Sequence, residues 1–241
     1  MFNRTQQSVG IWSILPCPSL VEVIASAGLD FIILDMEHGT YDIAAVEQCV
    51  RAAELHGCLP FVRVPGADLY KIQGVLDVGC KGVFAPQIQT AEQAELFVRM
   101  LRYGPAGVRG LNPFTRAGGF GKHKPVDDCL AGVLLENTSL YDQLDDVLKI
   151  EALDAVYLGV YDMSVSLGHP GEIHHADVES FVEDAAKRIR KAGKTVGAMV
   201  KSRQEYEKLA LYGVNMFVYS VDTSVIHRAI LAAVNDCTPQ R

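Results

Sequence analysis

The stretch FIILDMEHGTYDIAAVEQCVRAAELHGCLPFVRV (31–64) changes its hydrophobic period twice. FIILDME (31–37) is a short apolar run ending in acidic residues, the pattern of a strand buried on both faces. IAAVEQCVRAAELHG (43–57) sets its apolar residues at helical spacing and stops at Gly57, a common helix terminator. LPFVRV (59–64) is apolar again. Strand, amphipathic helix and strand in succession predict a βαβ unit with parallel strands.

The unit recurs in both directions, about every 30 residues. The other strand-like runs are SVGIWSI (8–14), GVFAPQI (82–88), AGVLLEN (131–137), AVYLGVY (155–161), TVGAMVK (195–201) and MFVYSVD (216–222). Between them lie helical stretches such as AEQAELFVRMLRYG (91–104), VESFVEDAAKRIRKAG (178–193) and SVIHRAILAAVNDC (224–237). Asp68, Thr90 and Thr223 suit the N-cap positions of the helices that follow them. Eight alternating units predict an α/β fold of the (β/α)8 TIM barrel type, with an open doubly wound sheet as the alternative. No linker or shift in composition divides the chain, so residues 1–241 read as one domain. PAGVRGLNPFTRAGGFGKHKP (105–125) is long and rich in Gly and Pro, and is expected to be a functional loop, a lid or a binding loop.

Composition narrows the function classes. With 241 residues and 49% hydrophobic content the chain can build a sizeable core, which excludes disorder and a disulfide scaffold. Lys plus Arg number 22 and Asp plus Glu 29, a net charge of −7, and the basic residues are scattered, so nucleic acid is not an expected partner. The six cysteines (Cys17, Cys49, Cys58, Cys80, Cys129, Cys237) form no C-x-x-C pair and suit a reducing compartment, the cytoplasm. MFNRTQQSVGIW (1–12) has no signal-peptide pattern, and no apolar run approaches the roughly 18 residues of a membrane span, so no membrane partner is expected.

Catalytic groups of a parallel barrel come from the C-terminal ends of its strands. Those ends offer Asp35, Glu37 and His38, then Arg63, Glu136, Asp162, Lys201 and Asp222. Glu136 and Asp162 follow neighbouring strands and can converge on one cation, an oxygen-only set suited to Mg²⁺ or Mn²⁺; Asp162 could equally cap the next helix. His38 in D-M-E-H-G can act as a general base or be a structural histidine satisfied by Asp35 or Glu37. Arg63 can clamp a carboxylate or developing oxyanion, or pair with a strand-end acid. G-x-G-x-x-G and P-loop motifs are absent, Ser164 and Ser166 lack a nucleophile-elbow context, and His174–His175 reads as loop.

Five segments together resemble the HpcH/HpaI aldolases, metal-dependent class II pyruvate aldolases. They are FIILDMEHG (31–39), VRVP (62–65), LDVGCKGVFAPQIQTAEQA (76–94), RYGPAGVRG (102–110) and YLGVYDMSVSLG (157–168). The resemblance runs from about Val9 to about Ala233. It implies a barrel of the phosphoenolpyruvate/pyruvate type that exchanges its last helix between subunits and assembles as a hexamer. The implied reaction cleaves or forms the aldol of a 2-oxo acid and an aldehyde, with Mg²⁺, Mn²⁺ or Co²⁺ as divalent metal.

Residue by residue, the resemblance implies metal ligation by Glu136 and Asp162 and a catalytic base at His38 paired with Asp77. It assigns Arg63 to the keto oxygen, the backbone from Gly159 through Tyr161 to Asp162 to the pyruvate carboxylate, and Trp12 to the substrate pocket. Three positions depart from the family pattern. Leu134 stands where the family has Gln, Tyr161 is bulky where a small residue precedes the Asp, and Lys201 replaces an uncharged residue. These keep three other readings in view. One is a Schiff-base aldolase using Lys201. The second is a CoA-ester lyase of the citrate-lyase β type, which needs a basic patch the acidic chain lacks. The third is a catalytically silent binding barrel.

Overall fold

The sequence's two hydrophobic periods resolve into strands and helices that alternate around a closed ring. The structure is a computed structural model that describes residue 2 and residues 6–124 and 126–237. Its strands are β1 (Ser8–Ser13), β2 (Phe31–Asp35), β3 (Leu59–Arg63), β4 (Gly82–Ala85), β5 (Leu130–Leu135), β6 (Ala155–Leu158), β7 (Thr195–Val200) and β8 (Met216–Val221). They pair in parallel in sequence order, and β8 returns to β1. The open doubly wound sheet is thereby excluded. Helices α1 (Pro18–Ser26), α2 (Ile43–Glu54), α3 (Leu69–Asp77) and α4 (Ala91–Met100) follow the first four strands. Then come α5 (Thr138–Asp142), α6 (Leu144–Leu148), α7 (Val160–Ser166), α8 (Ala176–Lys191), α9 (Arg203–Tyr212) and α10 (Asp222–Cys237). Among the described residues no helix is long and apolar enough to cross a membrane, and all six cysteines are free.

Period-two alternation divides the core. Ile32, Leu34, Val62, Val83, Val133, Val156 and Val196 face the helices, while Trp12, Phe31, Ile33, Phe61, Phe84, Leu134 and Tyr157 fill the barrel. The interior is narrow, and its rings fit because four of them face a glycine across the ladder. Phe31 registers with Gly10, Phe61 with Gly82, Phe84 with Gly132 and Tyr157 with Gly197. A Cβ on any of these glycines would come within 2.6 Å of its partner ring. The seam is closed by an irregularity: Gly10 pairs with Val218 but Trp12 with Val221, so β8 carries an extra residue. Ser220 absorbs it at φ 60°, in the left-handed region.

Every strand stops one to three residues before the end of the apolar run that marked it. β4 ends at Ala85 because Pro86 has no N–H to donate and Gln87 turns to φ 58°. β6 ends at Leu158, so Tyr161 and Asp162 lie in the first turn of α7 rather than on the strand. Asp68 and Thr90 cap α3 and α4 by accepting the N–H groups of Lys71 and Gln93. Thr223 is not a cap, because α10 already begins at Asp222.

The loop from residue 105 takes its place from topology. It joins a helix to a strand, so it lies at the barrel floor, opposite the strand C-termini, and cannot be a lid over its own mouth. It is pinned there by Arg116 on Glu54 and the Val78 carbonyl, and by the Ala117 N–H on the Asp77 carbonyl. Residue 125 lies outside the described residues. Arg102 of the RYGPAGVRG segment also serves the floor, donating to the carbonyls of Cys129 and Ala152 and to Asp154.

Because Gly132 and Phe84 touch, Gly132→Ala should overpack the barrel and destabilise the protein by about 1–3 kcal/mol. Adding Phe84→Leu should recover part of that loss. Urea titration of both variants checks this; an unchanged midpoint for Gly132→Ala would remove the fit between ring and glycine as a determinant of the barrel.

Candidate active site

At the end of β2 one carboxylate organises both its own loop and the next strand. Asp35 is buried, and its Oδ1 accepts the backbone N–H groups of Glu37 (3.0 Å) and His38 (3.3 Å), which folds D-M-E-H-G into a tight turn. Gly39 closes that turn where a side chain would collide with the Asp35 carbonyl oxygen. β2 and β3 register Asp35 with Arg63. The guanidinium is therefore gripped from the side: Nε donates to Asp35 Oδ1 at 2.8 Å and Nη2 to Asp35 Oδ2. Its carbon sits 4.5 Å from the centre of the Trp12 ring, and Trp12 Nε1 donates to the Tyr157 hydroxyl at 2.9 Å. Burial works against the Arg63 charge. The Asp35 hydrogen bonds and the charges of Asp35, Glu37 and Glu136 more than offset it and hold the pKa above the ordinary value.

Across the mouth, Glu136 stands just beyond β5 and is buried. Its Oε1 accepts the Gln87 backbone N–H at 2.5 Å, a bond made possible by the left-handed conformation of Gln87. The Gln87 side chain donates to Glu37 Oε1 at 2.8 Å. Glu37 Oε2 is buried without a hydrogen bond, 3.0 Å from Arg63 Nη1 but out of line with it. Gly159 leaves room for Glu136: a Cβ there would lie 2.6 Å from Glu136 Cβ and 3.1 Å from Oε2. Burial pushes the Glu136 carboxyl up to about 7, and Asp162 and Glu37 push the same way against the Gln87 N–H and Arg63. Asp35, Glu37 and Glu136 thus share one guanidinium, and the surplus of oxygen donors at Glu37, Glu136 and nearby Asp162 suits a hard divalent cation.

Trp12, Asp35, His38, Arg63, Glu136, Gly159, Tyr161 and Asp162 line one cavity of about 480 Å³ at the strand C-termini. The structure therefore brings together every residue to which the resemblance gives a role, except Asp77. That residue ends α3, and a helix that leaves the mouth reaches the floor at its C-terminus. Asp77 pairs there with Arg109 at 3.2 Å and is not brought to His38. His38 is exposed at the rim, and among the described residues no hydrogen bond to its ring is found, so neither Asp35 nor Glu37 satisfies the imidazole.

Lys201 is exposed and absent from the cavity lining; it donates to the Tyr161 hydroxyl on the outer side of the rim. Tyr161 is 46% exposed and edges the mouth rather than plugging it. Asp222 is structural: its Oδ2 accepts from Ser13 Oγ and the backbone of Ile14 and Leu15, tying β8 to β1. Sequence reasoning missed Gln87 and the double duty of Asp35. The Ala-Pro-Gln ending of the fourth run was the available signal, since Pro marks a strand's end and the residue after it turns toward the mouth.

Residues 8–227 match the family described as HpcH/HpaI aldolase/citrate lyase. The chain is 31% identical over 226 residues to a 4-hydroxy-2-oxo-heptane-1,7-dioate aldolase of Klebsiella pneumoniae, covering 91% of this chain and 85% of that protein. It is 32% identical to a hydroxypyruvate/pyruvate aldolase of Pseudomonas aeruginosa, covering 93% and 86%. Among solved structures it is similar to an HpcH/HpaI aldolase/citrate lyase family protein from Burkholderia cenocepacia, with a TM-score of 0.91 at 28% identity, covering 96% of this chain and 94% of the other.

The raised Glu136 pKa gives stability a definite pH dependence in metal-free protein. The unfolded chain ionises this group near its ordinary 4.5 and the folded chain near 7, so the unfolded state holds fewer protons between those values. Stability should fall as pH rises through that window, by on the order of 3 kcal/mol from this group. Denaturant titrations in EDTA at pH 5 and pH 7.5 should show the fall in the parent protein and a smaller one in Glu136→Gln. Equal slopes would remove the assignment.

Proposed function

The chain belongs to the HpcH/HpaI aldolase/citrate lyase family, and we propose that it is a divalent-metal-dependent aldolase that cleaves or forms a 2-oxo acid aldol through a pyruvate-type enolate. One observation carries this reading: Arg63, His38, Glu136 and Asp162 line a single cavity at the strand C-termini. Glu136 and Asp162 would hold the cation, Mg²⁺ or Mn²⁺ by donor type. The buried, hydrogen-bond-free Oε2 of Glu37 and the space left by Gly159 beside Glu136 support that fit. When bound, the cation supplies Lewis-acid polarisation of the keto group.

The chain's own groups divide the remaining work. Arg63 is held through Nε and Nη2, which leaves Nη1 to donate to the oxygen where negative charge grows as the carbon–carbon bond breaks. The grip of Asp35 and the Trp12 face fix that donor before substrate arrives. His38, exposed at the rim, moves the proton of the aldol hydroxyl. Asp35 positions His38 by accepting its backbone N–H. The position of Lys201 outside the cavity weighs against a Schiff base.

A homo-oligomer that exchanges α10 between subunits, most simply a hexamer, completes the proposal, with the cytoplasm as its compartment. Support comes from α10 itself. Asp222 is its only buried residue, while Ile230 (59%) and Leu231 (48%) are exposed. An apolar face of that kind on a helix end asks for a covering surface.

Proton exchange at C3 of pyruvate in D₂O tests enolate formation without a second substrate. Glu136→Gln should abolish metal-stimulated exchange. Arg63→Lys should lose roughly 10²–10³-fold in kcat with a small change in KM, because the charge remains and the fork is lost. Unchanged exchange in both variants would overturn the proposal. Ile230→Asp with Leu231→Asp should lower the mass found by light scattering; an unchanged mass would remove α10 from the subunit interface.

A further inference from the structure

A second group of metal-ligating side chains lies where the segment joining α7 to α8 meets the first turn of α8, and none of its members lines the mouth cavity. Nε2 of His169 is 2.9 Å from Oδ2 of Asp177, and Nδ1 of His175 is 3.5 Å from the same oxygen. The two imidazoles stack with centroids 3.4 Å apart at 19°. The three ligand atoms all fall within 4.8 Å of one another. A tetrahedral zinc ion with bonds of about 2.0–2.1 Å holds its ligand atoms about 3.3 Å apart, within the range spanned here, but imidazole lone pairs lie in the ring planes, so the two stacked rings would have to splay to meet one ion.

Without metal these groups bond one another: His169 Nε2 meets the Asp177 carboxylate, and an ion would replace that bond and the cap on His175 Nδ1. His175 caps α8, and its Nδ1 accepts the Asp177 N–H at 3.3 Å, so this nitrogen carries no proton. The segment is also anchored: the His169 N–H donates to the Ser164 carbonyl at 2.7 Å, and Gly171 N–H to Ser164 Oγ at 3.0 Å. Ser164 is itself buried in α7.

We propose that His169, His175 and Asp177 form a binding site for a divalent transition metal of the zinc type, separate from the mouth. Two imidazoles and one carboxylate with an open position are borderline-soft donors that favour Zn²⁺ over Mg²⁺. The ion would tie the α7–α8 segment to the first turn of α8.

The test is calorimetric titration of the full-length protein with Zn²⁺ in excess Mg²⁺, with Co²⁺ absorption as a second readout. One equivalent of Zn²⁺ per chain should bind in the parent protein and in Glu136→Gln. Affinity should drop at least tenfold in His169→Gln and in His175→Asn, the latter keeping a good N-cap. The tetrahedral Co²⁺ bands should disappear with it. Should His175→Asn fail to fold, His169→Gln, which caps nothing, carries the decision. Unchanged Zn²⁺ affinity in His169→Gln, or uptake lost only in Glu136→Gln, would overturn the site.

Discussion

The barrel can close only because its large rings meet missing side chains. Phe31, Phe61, Phe84 and Tyr157 each register with a glycine on an adjacent strand, so an interior too narrow for eight bulky residues is filled by alternation of full and empty positions. Each buried Phe contributes roughly 1.5–3 kcal/mol, and none of it is available if the neighbouring strand carries a Cβ. Trp12 meets Tyr157 through a hydrogen bond and an edge-to-face contact at 5.3 Å. Arg63 rests on Trp12. The mouth is thus built on the same packing that shuts the ring.

The mouth is electrostatically unfinished within the polypeptide. Asp35 uses both oxygens on Arg63 and on its own turn, whereas Glu37 keeps an oxygen with no aligned partner and Glu136 is pushed toward neutrality by burial. Such a centre has use for an added positive charge, and it holds a cationic donor rigid at low cost in reorganisation. The proposed division of labour follows from that asymmetry: one acid positions, the others wait for a cation.

The strands were legible because a barrel strand buried on both faces reads as a continuous apolar run, and eight such runs specify the architecture. Their ends were less legible. The residues that terminate them, Pro86, Gly159 and Asp222, act through backbone conformation and side-chain clamps that hydrophobicity does not report. Most of the mouth could be read for the same topological reason, since polar residues that close apolar runs share one rim. Gln87 escaped notice because its main contribution is a backbone N–H, which nearly any residue type has. The pairing of Asp77 with His38 is not formed within one chain, because helix direction carries Asp77 to the floor.

The clamp at Asp222 has a mechanical side. Its carboxylate holds Ser13, Ile14 and Leu15, the residues immediately after Trp12, and it is also the first residue of the outward-reaching α10. A load on that helix therefore passes through one side chain to the support beneath Arg63. Where neighbouring subunits hold α10, dilution slackens the support as well as the assembly. In the proposed oligomer, turnover per chain would then depend on the concentration of the protein itself.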